Sequence, residues 1–179
     1  FEYKPHNISL GKDNIGILLY GINSSGKSTL MKSIGLNIIM AQIGYFVSAS
    51  EFTYFPYNTL MTRISGMDNI FKGMSSFMVE MMELMAILKR NDSNTLVLGD
   101  EICRGTEEKS ANIIVTYMLE VLEKYNSSFI TATHLHQIAE MESVKNLKKV
   151  KSMHLKVEYD DENQKLIYSR TLCEGQGEK

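Results

Sequence analysis

Gly21-Ile22-Asn23-Ser24-Ser25-Gly26-Lys27-Ser28 matches the spacing G-x-x-x-x-G-K-[ST], in which each fixed residue has its own part in holding a triphosphate. Gly21 and Gly26 let the backbone turn successive N–H groups inward, which makes an anion nest at a helix N-terminus. Lys27 adds a mobile positive charge that can reach the β- and γ-phosphates. The Ser28 hydroxyl can ligate Mg2+, a hard cation that favours oxygen. A second pair of oxygens comes much later, where Asp100 and Glu101 follow the apolar run Thr95-Leu96-Val97-Leu98-Gly99. Asp100 suits the Mg2+ shell shared with Ser28, and Glu101 suits orienting and deprotonating an attacking water. Alone, an acidic pair at a strand end is often a helix cap or a surface pair. Downstream of a phosphate loop it reads as the second half of a nucleotidase site.

Gly73-Met74-Ser75-Ser76 lies before the Asp100-Glu101 strand, and His134 follows the next strand. This order is similar to that of ATPases of the ABC superfamily, which implies sandwich dimers. In such proteins a serine at a helix N-terminus approaches the γ-phosphate held by the opposite subunit. Ser75 fits that position, although a serine before a helix is also an ordinary cap. His134 fits a γ-phosphate sensor as readily as a loop histidine, and His136 fits less well.

These residues need elements to position them. Ile15 to Tyr20 is an apolar run of strand length, and Leu30, Ile34, Ile38 and Ala41 then recur at helical spacing up to a stop near Gly44. Leu60 to Ile64 reads as a strand. Ser75 to Arg90 reads as a helix whose methionines, Met78, Met81, Met82 and Met85, are expected mostly in the core. Thr95 to Gly99 reads as a strand buried on both faces, and Ser110 to Lys124 as a helix. Ser128 to Thr133 is a further strand and Leu135 to Glu142 a short helix. Met153 to Tyr159 and Lys165 to Leu172 alternate around Asp160-Asp161-Glu162-Asn163, which predicts a β-hairpin. The expected fold is α/β, a P-loop NTPase of the ABC-ATPase type with a mostly parallel central sheet flanked by helices and a C-terminal β-hairpin.

Composition narrows the function. The chain has 179 residues, 44% hydrophobic and 22% charged, as in an ordinary globular domain. A net charge of −2 gives no whole-molecule basic footprint for DNA. Lys145, Lys148, Lys149 and Lys151 lie among Glu140, Glu142 and Glu158 and read as a solvated face. Cys103 and Cys173 have no metal-ligand spacing and read as reduced thiols. No apolar run nears the roughly 20 residues that span a membrane, and the first residues lack a signal-peptide core. A soluble, intracellular protein with no membrane partner is expected.

Taken together, the chain resembles the ATPase domain of the MutS mismatch-recognition proteins. The resemblance rests on Gly21 to Thr29, Ala41-Gln42-Ile43-Gly44-Tyr45-Phe46-Val47, Thr62-Arg63-Ile64 and Phe77-Met78-Val79-Glu80-Met81. It continues through Leu96 to Thr106 and Thr131-Ala132-Thr133-His134. It implies ATP and Mg2+ as ligands, with hydrolysis at two composite sites of a homodimer or of a pair with a MutS-like partner subunit. It also implies that Ser75 acts in trans, that His134 senses the γ-phosphate, that Asn23 lies near the phosphates and that Tyr3 contacts adenine.

The departures are specific. Ile22, Ser24 and Ser25 stand where most members have Pro, Met and Gly, while the nest glycines and Lys27 remain. Glu107-Glu108-Lys109-Ser110-Ala111 replaces the usual Ser-Thr-Tyr-Asp-Gly, which looks like a divergent viral or organellar branch. Residues 1–179 are expected to form a single ATPase domain, a fragment without the domains that read mismatched DNA and without the family's closing helices. The readings that compete with a mismatch-repair motor are another ABC-type ATPase, in transport or chromosome structure, and a module that uses ATP only to dimerise. A signature less rich in glycine than a transporter's, Lys72-Gly73-Met74-Ser75-Ser76, disfavours transport.

Overall fold

β1 (Gly16–Tyr20) is buried along its whole length, with Leu18 and Tyr20 packed on one side of the sheet and Ile17 and Leu19 on the other. Period-two alternation of this kind needs apolar cover on both faces. The computed structural model describes residues 4–64, 76–103, 106–160 and 164–177. Tyr3, Ser75, Arg104, Gly105 and the Asp161-Glu162-Asn163 turn lie outside the described residues.

The central sheet has six strands in the order β2-β3-β4-β1-β5-β8. These are β2 (Thr59–Arg63), β3 (Thr95–Asp100), β4 (Ser128–Thr133), β5 (Val150–Leu155) and β8 (Leu172–Glu174) beside β1. All neighbours run parallel except β8, which is antiparallel to β5. One face is covered by α1 (Lys27–Gln42), through Met31 and Ile38 on Ile17, Leu19, Leu96 and Leu98. The other is covered by α2 (Ser76–Arg90), α3 (Glu108–Lys124), a 3-10 turn (His136–Glu140) and α4 (Glu142–Lys145). Ala111, Val115, Met118, Leu119 and Leu122 of α3, with Leu84 and Ile87 of α2, pack there on Leu18, Val97 and Phe129. This is an α/β fold with a mostly parallel sheet flanked by helices. No described helix is long and apolar enough to cross a membrane.

Three expectations change. Met78, Met82 and Met85 are 51%, 54% and 54% exposed. Leu84, Ile87 and Glu80 take the buried stripe of α2 instead, since a helix of this length resting on the edge of a sheet hides only one face. The long hairpin is divided. β5 joins the central sheet beside β1, and only β6 (Glu158–Asp160) and β7 (Lys165–Ile167) form the antiparallel pair. Strand alternation does not reveal which neighbour a strand pairs with. The helix expected over Leu135 to Glu142 is the 3-10 turn followed by α4, broken at Met141, whose φ of −65° and ψ of 134° are extended.

Gly16 makes the fold dependent on a missing side chain. It pairs with Phe129 across β1 and β4, and a Cβ at Gly16 would stand 2.1 Å from Phe129 Cζ. Phe129 is fully buried and cannot swing clear. Gly16→Ala is therefore expected to cost about 1–3 kcal/mol, the usual size of an overpacking defect. Urea unfolding checks this, with a lower midpoint and an unchanged slope as the expected result.

Candidate functional site

Register brings the chemistry together. Tyr20 pairs with Thr133, and Asp100 with Ala132, so the segments after β1, β3 and β4 all leave the sheet at the same end. In open parallel sheets the crevice beyond the carboxyl ends of the strands is where ligands bind.

The loop from β1 to α1 takes the shape its glycines permit. Gly21 has φ 147° and Gly26 φ 107°, values that L side chains rarely adopt, and Ser24 joins them at φ 67°. Lys27 then opens α1, so the first turn of the helix presents unbonded N–H groups to the loop. Ser25 Oγ is buried and has no hydrogen-bond partner among the described residues. A buried hydroxyl without a partner is costly and suits a ligand-lined concavity.

Lys27 is 5% exposed. Its Nζ donates to Gly21 O at 2.6 Å and to Ile22 O at 3.1 Å, and lies 3.9 Å from Glu101 Oε1. Burial lowers its pKa, and the nearby charges of Glu101 and Asp100 oppose that shift. Ser28 Oγ donates to Asp100 Oδ2, joining the start of α1 to the end of β3. Glu101 turns sharply at φ 47°, and its N–H donates to Ala132 O at 3.0 Å. The turn directs its carboxylate back toward Lys27.

Asn23 to Leu30, Ser33, Asp100 and Glu101 line a cleft of about 640 Å³. Among the residues expected from sequence, Asn23, Ser24, Ser25, Gly26, Lys27, Ser28, Thr29, Asp100 and Glu101 thus meet in one place. Gly21 and Ile22 face an adjoining cleft on the other side of the loop. His134 follows β4 at the same end of the sheet but is exposed and does not line the cleft. His136 stacks on Tyr20 with ring centroids 5.4 Å apart. Tyr3 and Ser75 lie outside the described residues.

Four lining residues carry no local sequence signal: Lys4, His6, Leu155 and Arg170. They arrive from the chain's two ends, and Leu155 and Arg170 stand over Gly26. Burial holds the His6 imidazole below its ordinary pKa, which favours its neutral form at pH 7. Cys103 is buried, and burial pushes its thiol up to about 12, so it is no nucleophile.

The donor set fits Mg2+ bound together with phosphate. Ser28 and Asp100 present adjacent hard oxygens, and no cluster of three His, Cys, Asp or Glu side chains that could hold a metal alone occurs among the described residues. Mg2+ characteristically uses one or two protein oxygens and fills its octahedron with water and phosphate.

Comparisons with known proteins agree on one family. The family model for MutS domain V matches residues 17–179. A putative DNA mismatch repair protein mutS homologue of Acanthamoeba polyphaga mimivirus is 52% identical over 94% of this chain and 15% of its own length. The mitochondrial DNA mismatch repair protein mutS homologue of Sarcophyton glaucum is 44% identical over 98% of this chain and 17% of its own. The DNA mismatch repair protein MutS of Streptococcus equi subsp. equi is 34% identical over 99% of this chain and 21% of its own. The chain therefore spans between about a seventh and a fifth of the length of these relatives.

Proposed function

The chain belongs to the MutS family of DNA mismatch-repair proteins, and from that membership we propose that it is the ATP-binding and ATP-hydrolysing motor domain of such a protein. The observation that carries this reading is the meeting of Lys27, Ser28, Asp100 and Glu101 at the carboxyl ends of β1 and β3. A P-loop fold of the ABC-ATPase type is the architecture that this arrangement supports.

In the proposed mechanism, the amides of Gly21 to Thr29 cradle the phosphates and fix the γ-phosphate at the N-terminus of α1. Lys27 exchanges the carbonyls of Gly21 and Ile22 for phosphate oxygens. Ser28 and Asp100 would hold Mg2+, which would supply neutralisation of the phosphate charge. Glu101 takes a proton from the attacking water, its carboxylate oriented by the turn after β3. His134 serves as γ-phosphate sensor and Tyr3 as adenine contact. Ser75 acts across a dimer, either a homodimer or one with a MutS-like partner subunit. Hydrolysis then switches the dimer on mismatched DNA, which is bound through domains outside this chain. The higher identity to the viral and mitochondrial relatives than to the bacterial one supports a divergent branch.

Titration of ATP hydrolysis with Mg2+ tests the assignment. Turnover should require the metal, and the double substitution Ser28→Ala with Asp100→Asn should lower it by about 100-fold or more. Equal turnover in excess chelator would rule the site out.

A further inference from the structure

Glu80 stands where packing alone would place a leucine. It begins the buried stripe of α2 that Leu84 and Ile87 continue at i+4 and i+7, and it is 6% exposed. Taking a carboxylate out of water is costly unless it is paired and hydrogen-bonded. Glu80 has both kinds of partner. Its Oε1 accepts the Cys103 N–H at 2.8 Å and lies 3.8 Å from an Arg63 guanidinium nitrogen at the end of β2. Arg63 Nε is also 2.8 Å from Glu83 Oε2, one turn further along α2.

The Cys103 bond matters because of what precedes it. Glu101 and Cys103 both have positive φ, 47° and 65°, without being glycine. Such a turn persists only when its surroundings hold it. The Ala132 carbonyl anchors it at the Glu101 N–H, and Glu80 anchors it at the Cys103 N–H. The same turn aims Glu101 at Lys27.

We propose that Glu80 is a positioning residue for hydrolysis: it fixes the turn that orients Glu101 and ties that turn to α2. This inference rests on the nucleotide-hydrolysing reading above. Glu80→Leu removes the acceptor for Cys103, while its apolar side chain extends the Leu84 and Ile87 stripe and Arg63 keeps Glu83, so the variant is expected to fold with a lowered melting temperature. Glu80→Gln keeps the acceptor for Cys103 and serves as the rescue.

In the full chain, Glu80→Leu should lower kcat by about 10- to 100-fold, the usual cost of losing a group that orients a reacting one. The Kd for ATP should stay within about 3-fold, and a cooperative thermal melt should show that the variant is folded at the assay temperature. Amide exchange at Cys103 should speed up by about 10-fold or more in the leucine variant. Glu80→Gln should bring both readouts back to within about 3-fold of the unmodified protein. An unchanged kcat in a folded leucine variant overturns the inference, as does a glutamine variant equally slow. If the unmodified protein neither binds nor hydrolyses ATP, the reading of the site fails and this inference falls with it. A competent protein indifferent to Glu80 defeats only the inference.

Discussion

With Lys27 replaced by alanine, the protein is expected to lose ATP binding while keeping its fold. The ammonium sits between the loop carbonyls of Gly21 and Ile22 and the Glu101 carboxylate, so it is already inside the cleft that the phosphates would fill. Two charge-assisted hydrogen bonds to phosphate, at about 1.5–3 kcal/mol each, correspond to an affinity loss of about 10²- to 10⁴-fold.

Folding should not suffer. Lys27 lies at the N-terminal end of α1, where the helix dipole disfavours a cation. Burial also lowers its pKa below the unfolded value, so the protonated form opposes folding at neutral pH. That opposition fades as the pH rises through the lowered pKa, and alanine removes it altogether. Isothermal titration with ATP, paired with a thermal melt, checks both halves. Unaltered affinity in the alanine variant would contradict the site.

Glu101→Gln should separate binding from chemistry. Glutamine keeps the size and the hydrogen-bonding oxygen but cannot take a proton, so hydrolysis should fall by about 10²- to 10⁴-fold. ATP should bind as tightly as before or more so, because a negative charge 3.9 Å from Lys27 is removed from the neighbourhood of an anionic ligand. Single-turnover hydrolysis beside equilibrium binding reads the two effects separately. A module that used ATP only to dimerise would show no change in turnover on this substitution.

The parts of the site written in contiguous residues were legible. The strand, loop and helix from Ile15 to Gln42 followed from apolar periodicity and two glycines, and the structure keeps both glycines at positive φ. β3 was equally clear, because a parallel strand buried on both faces is a continuous apolar run, and β4 has the bounds expected for the further strand Ser128 to Thr133. What depended on distant pairing was hidden. Arg170 and Leu155 reach the cleft because β5 pairs with β1, and nothing near either residue announces that neighbour. The methionines of α2 have helical spacing, but spacing does not say which side of a helix meets the sheet. Glu80 lies on the buried side, where its charge would have argued against it.

The position of β1 between β4 and β5 sets a timetable for the chain's birth. Roughly 130 residues separate Gly16 from Val150, its partner in β5. At ribosomal speeds this is about 7 to 30 s of synthesis. β4 follows after roughly 110 residues, so for most of that interval the strand leading into the Gly21–Lys27 loop has neither flanking strand, and until β5 is made one of its edges stays open. The cleft lined by Lys27, Asp100 and Leu155 is among the last parts of this domain to take shape, and a nascent chain halted before β5 cannot complete it.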